Sequence, residues 1–401
     1  MSRLHWVILV VVIVLLGAIV LPERSSTPTP RMAAAAATTA RDGVLDAGTG
    51  YVVALDDQGR VFGWGGYDVN DGAKLVARAK RPRLLLAGSG YRRVAAGNRA
   101  VYVIDSESVL RRAALGDLAG GELVNPVPIV TAKRWRMARE SWGVAAGIDR
   151  NGALWWWSDD EVAEQLQGRQ PEPVAEPQPL MPGYRFVDVC MQGPRLHAID
   201  DQGRLWRSAD LQRRGPVERP LQTEDGMLVR IAADTELAKL ACRENAAHVL
   251  ALARDGSVWG YGPNSFGELG VGEQEMHYDR AVLDATSLVR IAGGPFVAVA
   301  VAPQVSLAIA ADGSLWGWGR NLDNELGAGD SEPHAGPVEV DRTRSRIAIA
   351  STYGTGVAMD VDGRLQAWGS NAYGALGDGG IATTHDRPAD VLTDIRFGGN
   401  P

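Results

Sequence analysis

Past residue 41 the chain alternates short apolar runs with breaks rich in Gly, Asp and Asn. Two clear copies read Val249-Leu-Ala-Leu-Ala-Arg-Asp-Gly256-Ser-Val-Trp-Gly-Tyr-Gly262 and Leu307-Ala-Ile-Ala-Ala-Asp-Gly313-Ser-Leu-Trp-Gly-Trp-Gly319. Each is an apolar strand, a turn of the kind that needs a positive φ, and a second strand carrying aromatics. The same unit recurs with turn glycines at Gly59, Gly152, Gly203, Gly256, Gly313 and Gly363, and a worn copy puts Glu107 at the turn position. Repeats of roughly 50 residues holding a hairpin plus loops have the size of one four-stranded propeller blade. The pattern therefore predicts an all-β, seven-bladed β-propeller over residues 42–401. Ring closure is expected to bring the segment around Ile395-Arg-Phe397 against the first blade, because a closed ring leaves no long unpaired edge.

The last three copies add Gly-x-Asn after the second strand and then Gly-x-Leu-Gly: Asn264 with Gly267-Glu-Leu-Gly270, Asn321 with Glu325-Leu-Gly327, and Asn371 with Gly374-Ala-Leu-Gly377. Pieces of the Pro-x-x-Val kind are Pro126-Val-Pro-Ile, Pro337-Val-Glu-Val and Pro388-Ala-Asp-Val. This combination resembles the repeat of the regulator-of-chromosome-condensation propellers, and the N-terminal segment suggests a bacterial-type exported member. The resemblance implies seven blades. It also implies a role among nucleotide-exchange factors, light receptors, chromatin adaptors and secreted enzyme inhibitors, between which a fold does not choose.

Ahead of the repeats, residues 1–5 form a short N-terminal segment. Residues 6–21 (WVILVVVIVLLGAIVL) carry no charge. This length lies between a secretory core and a spanning helix. It predicts one N-terminal hydrophobic helix acting as an uncleaved signal-anchor, which places the propeller on the exported, periplasmic or extracellular side; cleavage and secretion is the alternative. Residues 22–41, rich in Ser, Thr, Pro and Ala, read as a flexible linker.

Composition narrows the chemistry. A net charge of −7 argues against a nucleic-acid partner. The two cysteines, Cys190 and Cys242, either pair in an exported domain or are two small buried hydrophobes; composition favours the second. No catalytic motif, metal-ligand spacing or phosphate-cradling loop occurs, so neither an enzyme nor a cofactor is expected. What is left is a membrane-tethered, monomeric module binding an unknown protein partner through its loop rim. The alternatives are a glycan or cell-wall binder and a hydrolase with its site at the channel mouth. Candidate interaction residues are Trp156, the middle of Trp155-Trp156-Trp157 and so turned to the opposite face; Trp135 and Trp142, outside the repeat register; and His277, His334 and His385, expected in rim loops. The basic clusters at Arg92-Arg93 and Lys133–Arg139 read as solvated faces.

Overall fold

The computed structural model describes residues 39–66, 79–98, 100–118, 121–129, 132–159, 176–208, 211, 228–231, 235–272, 288–381 and 383–398. The hydrophobic segment 6–21 and the linker up to residue 38 lie outside these residues. Among the described residues no helix is long and apolar enough to cross a membrane.

These residues form seven four-stranded antiparallel sheets, each a run of consecutive strands: blades 1 to 7 at 45–84, 91–128, 135–180, 186–231, 237–291, 296–341 and 346–390. The first strand of each blade lines the axis of the ring. These seven strands are Leu45–Ala47, Tyr91–Ala96, Trp135–Ser141, Phe186–Gln192, Leu237–Ala241, Phe296–Ala302 and Arg346–Ser351. The Pro-x-x-Val pieces fall in fourth strands, such as His334–Asp341 and Thr384–Asp390. There a proline is tolerated because a sheet edge lacks a partner for its missing N–H.

The predicted turns join the second and third strands. Gly59, Gly152, Gly203, Gly256, Gly313 and Gly363 all have positive φ. In blade 2 that conformation belongs to Ser108 (φ 65°), one residue beyond the expected Glu107. An Asp three residues earlier sets the register: Asp105 Oδ1 accepts from Glu107 N and Val109 N, as Asp56 Oδ1 accepts from Gln58 N and Arg60 N. The turn carbonyl then takes a hydrogen bond from the residue opening the next blade. Tyr91, Trp135, Phe186, Leu237, Phe296 and Arg346 donate their N–H groups to Gly59, Ser108, Gly152, Gly203, Gly256 and Gly313. The seventh donor is Phe397, bonded to Gly363. The C-terminal tail thus fills the place of an eighth inner strand. It meets blade 1 through a single bridge at Asp56, with Phe397 packed edge-on against Phe62 (5.7 Å).

The repeated motif locks neighbouring blades in three places. Asn264, Asn321 and Asn371 each accept, through Oδ1, from the N–H of the leucine in Gly-x-Leu-Gly. The third-strand Trp of the next blade donates to the carbonyl just before that leucine: Trp318 to Glu268 (2.9 Å), Trp368 to Glu325 (2.9 Å) and Trp64 to Ala375 (2.8 Å). The last closes the ring. The glycine after the leucine sits under that indole, where a Cβ on Gly327 would stand 2.6 Å from Trp368 Cδ1.

Elsewhere the interfaces differ from one another. Cys190 and Cys242 form a disulfide between the first strand of blade 4 and the end of that of blade 5, Cα atoms 5.8 Å apart, which corrects the expectation of two unlinked hydrophobes. Propeller closure brings adjacent inner strands within disulfide reach, a proximity that spacing along the chain does not show.

Candidate functional site

In a blade of four antiparallel strands, the first-to-second turns and the third-to-fourth loops share one end. On this face the blade 3 turn carries Trp142. Its side chain is 49% exposed and its φ is 53°, a left-handed conformation costly for a bulky residue. Its N–H reaches Asn98 Oδ1 of the blade 2 turn at 3.4 Å. The blade 7 turn presents Tyr353, 54% exposed and edge-on to Tyr373 (6.2 Å). Thr352 beneath it is buried, its hydroxyl bonded to Gly48 O and Gly50 N of blade 1. The aromatics are therefore displayed on a pinned scaffold.

Behind this face runs the axial channel, with a cavity of about 280 Å³ lined by all seven inner strands. It is spanned from blade 1 to blade 5. Asp42 pairs with Lys239, Asp46 with Arg243 (3.5 Å), Arg243 also donates to Ala47 O, and Asn245 donates to Thr49 Oγ1 (3.2 Å). Because blades 1 and 5 are not neighbours, this chord divides the channel. On the side of blades 6 and 7 the wall is Val297, Val299, Val301, Ile347, Ile349 and alanines. On the side of blades 2 to 4 it is Arg93, Arg136, Arg139 and Asp188. Burial holds the Arg93 and Arg136 guanidinium pKa values below the ordinary range and raises that of the Asp188 carboxyl.

The sequence candidates scatter. Among the described candidates Trp142 alone is broadly exposed. Trp135 is not a surface residue: it is 1% exposed and edge-on to Trp157 (5.5 Å). It opens the blade 3 inner strand, in the register position that Tyr91, Phe186 and Phe296 occupy. Trp156 faces away from Trp155 and Trp157 and packs, partly buried, on the cluster of Met137, Leu154 and Phe186 between blades 3 and 4. His334 and His385 lie in fourth strands and not in rim loops, paired to Gly319 and Gly369. Each sits beside an aspartate: His334 Nε2 is 3.1 Å from Asp330 and His385 Nε2 is 3.7 Å from Asp378. His277 lies outside the described residues. The residues that the sequence missed are the channel arginines, whose alternation within a strand does not distinguish an outer surface from an axial one.

The buried titratable groups are engaged in blade-to-blade hydrogen bonds. His197 Nδ1 is 2.7 Å from Tyr261 Oη and its Nε2 is 3.2 Å from Gln192 Oε1. Gln192 Oε1 can only accept, so Nε2 carries the imidazole proton and the Tyr261 phenol donates to Nδ1. His248 Nε2 meets Ser306 Oγ (2.8 Å), which bonds on to Glu268 O. Burial lowers both imidazoles to about 3, with Arg207 and Arg195 adding to the effect at His197. Among the described residues no group of three or more His, Cys, Asp or Glu could hold a metal.

The architecture matches solved propellers. Prp20p of Saccharomyces cerevisiae superposes with a TM-score of 0.63 at 18% identity, over 84% of this chain and 87% of that one. Yeast RCC1 (Prp20) bound to Kap60 gives 0.64 at 18% identity, over 92% and 90%. The fold is that of the RCC1 propeller. Human WBSCR16 gives 0.60 at 13% identity, over 82% and 89%. No known family profile matches the chain. In sequence it is similar to human E3 ubiquitin-protein ligase HERC2, 33% identical over 177 residues, and to the ultraviolet-B receptor UVR8 of Arabidopsis thaliana, 30% over 96 residues. These matches cover 42% and 23% of this chain but 4% and 20% of those proteins. They are likenesses to propeller segments.

Proposed function

We propose that the chain is a member of the RCC1 repeat family that works as a protein-binding module, not an enzyme, on the face carrying Trp142 and Tyr353. The observation that carries this reading is Trp142: a large aromatic held half-exposed at a positive φ on a turn of a rigid ring. Loops on rigid scaffolds are where binding resides, and tryptophan is the side chain most enriched among interface anchors. Prp20p, which shares the fold, is described as binding Gsp1p and histones, and that likeness supports protein binding as the mode of action. The chord of ion pairs across the channel directs a macromolecular partner to the rim.

The propeller is further proposed to sit on the exported side of a membrane, tethered by residues 6–21 as a signal-anchor. The apolar run and the disulfide support this, since structural disulfides persist in oxidising compartments. The test is affinity capture with the full chain from its own envelope fraction, set beside Trp142→Ala and Tyr353→Ala. A partner enriched by the unaltered chain and lost with Trp142→Ala is the expected result. Recovery of the same proteins by all three chains, or of none, would sink the reading.

A further inference from the structure

Three guanidiniums share one side of the axial channel, and the carboxylates around them are already engaged. Asp42 and Asp46 belong to Lys239 and Arg243 on the chord. Asp188 is buried, and its two oxygens accept from Leu240 N (2.7 Å) and Val189 N (3.1 Å). Arg136 spends one nitrogen on Phe186 O (2.7 Å), and Arg139 spends one on Ala138 O (3.0 Å). Among the described residues the Arg93 guanidinium makes no hydrogen bond, and none of the three pairs with a carboxylate. Each guanidinium offers five N–H donors, so most of this donor set has no protein acceptor among the described residues. Arg93 and Arg139 also line together a smaller gap of about 10 Å³ beside Gly43 and Tyr102, which places these two neighbours side by side across the blade 2–3 boundary.

We propose that this side of the channel binds a small multivalent oxyanion, a phosphate or a polycarboxylate, through Arg93, Arg136 and Arg139. The channel cavity measures about 280 Å³ in all, on both sides of the chord, the volume of roughly nine waters at about 30 Å³ each. Its arginine side is a part of that, a space for a small ion such as phosphate or citrate and below the range of roughly 300–1,000 Å³ typical of drug-sized ligands. Guanidiniums from two blades line the same cavity, and each is a planar fork of the kind that grips phosphate and carboxylate oxygens bidentately. Burial and mutual repulsion, Arg139 acting on Arg93 and Arg93 on Arg136, lower the pKa of Arg93 and Arg136, and a bound anion relieves both effects. The apolar wall of blades 6 and 7 supplies no competing charge; Asp188 lines the arginine side, and Asp42 on the chord and Asp149 also act on Arg93 and Arg136 respectively.

Isothermal titration of the full chain at constant ionic strength, with inorganic phosphate in one series and citrate in another, tests this and separates the two chemistries. The expected result is saturable one-site binding of at least one probe. Arg93→Gln or Arg139→Gln should weaken it about ten- to hundredfold, the scale of hydrogen bonds to charged groups. Arg139→Lys, which keeps the charge but not the fork, should weaken it less and guards against a fold defect in the glutamine variants. Arg254→Gln, on an exposed pair with Glu236, should leave it unchanged. Absence of saturable binding of either probe, or equal affinity in Arg93→Gln, Arg139→Gln and the unaltered chain, would overturn the proposal. Its failure leaves the rim reading standing, because Trp142 and Tyr353 take no part in it.

Discussion

The interfaces joining blades 5 to 6, 6 to 7 and 7 to 1 are copies of one device, whereas those from blade 1 round to blade 5 are each built differently. In the first region a third-strand tryptophan, a pinned leucine turn and a glycine that makes room for the indole recur as a set. In the second, Tyr51 donates to Gly97 O between blades 1 and 2, and Tyr102 and Arg112 converge on Asp159 between blades 2 and 3. Met137 and Trp156 pack with Phe186 between blades 3 and 4, and a disulfide with the His197–Tyr261 pair joins blades 4 and 5. Both regions keep the bond from inner strand to turn carbonyl, so backbone geometry is common and side-chain chemistry is free to diverge. That freedom is what lets blades 2 and 3 carry channel arginines while blades 6 and 7 present Val, Ile and Ala.

If the repeated lock dominates its region, Trp368→Ala is the most damaging single change. It empties a fully buried indole site and orphans Glu325 O. The expected loss is about 3–5 kcal/mol, read from the urea midpoint. Trp368→Phe keeps most of the packing and should lose less. An alanine variant within about 1 kcal/mol of the unaltered chain would show that the lock is decorative. Reducing Cys190–Cys242, or replacing both with serine, tests the other region. A closed loop of 52 residues corresponds to about 4 kcal/mol in the chain-entropy account, and measured losses are typically about 2–4 kcal/mol. Equal urea midpoints for oxidised and reduced protein would remove the disulfide from the comparison.

Acid should strain both regions alike. His197 and His248 are held neutral when folded, with pKa values lowered to about 3, against 6.5 for the free side chain. Between these values the unfolded chain binds protons that the folded one refuses, so this contribution to stability is intact above pH 6.5 and falls as pH drops toward 3. At about 1.4 kcal/mol per pH unit, each imidazole costs about 2 kcal/mol at pH 5. His248→Gln retains a donor for Ser306 and should remove about half of the slope in denaturation midpoints between pH 7 and 5. An unchanged slope would assign the acid sensitivity elsewhere.

What could be read from the chain follows the same division. Asp-Gly turns, Asn before Gly-x-Leu-Gly, and third-strand tryptophans reveal blades 5 to 7 because backbone demands at fixed places repeat there. Blade 2 hides its turn because Ser108 takes the left-handed position without a glycine, held by Asp105. With that register shifted by one, Trp135 reads as outside the repeat in sequence, whereas in the fold it opens an inner strand. The disulfide and the arginine side of the channel depend on which strand of a blade faces the axis. That is set by ring closure, not by any local pattern around Cys190, Arg93 or Arg139.

The smallest expected effect is the one that best separates a shared network from a repeated lock. Tyr102 is fully buried between blades 2 and 3, its hydroxyl on Asp159, with burial and then the Asp159 charge raising its pKa. Tyr102→Phe keeps the ring against Trp157 (6.2 Å) and removes only the hydroxyl. A hydrogen bond to a charged acceptor contributes about 1.5–3 kcal/mol, and the lower end is expected because Arg112 remains on Asp159. In a double-mutant cycle with Arg112→Met, the two losses should fail to add, since both side chains serve one carboxylate. Trp368→Phe combined with Tyr102→Phe, at interfaces on opposite parts of the ring, should add within about 0.5 kcal/mol. Coupling between that second pair would mean that the ring transmits strain between its regions, and the contrast between a copied half and a divergent half would then describe the sequence more than the energetics.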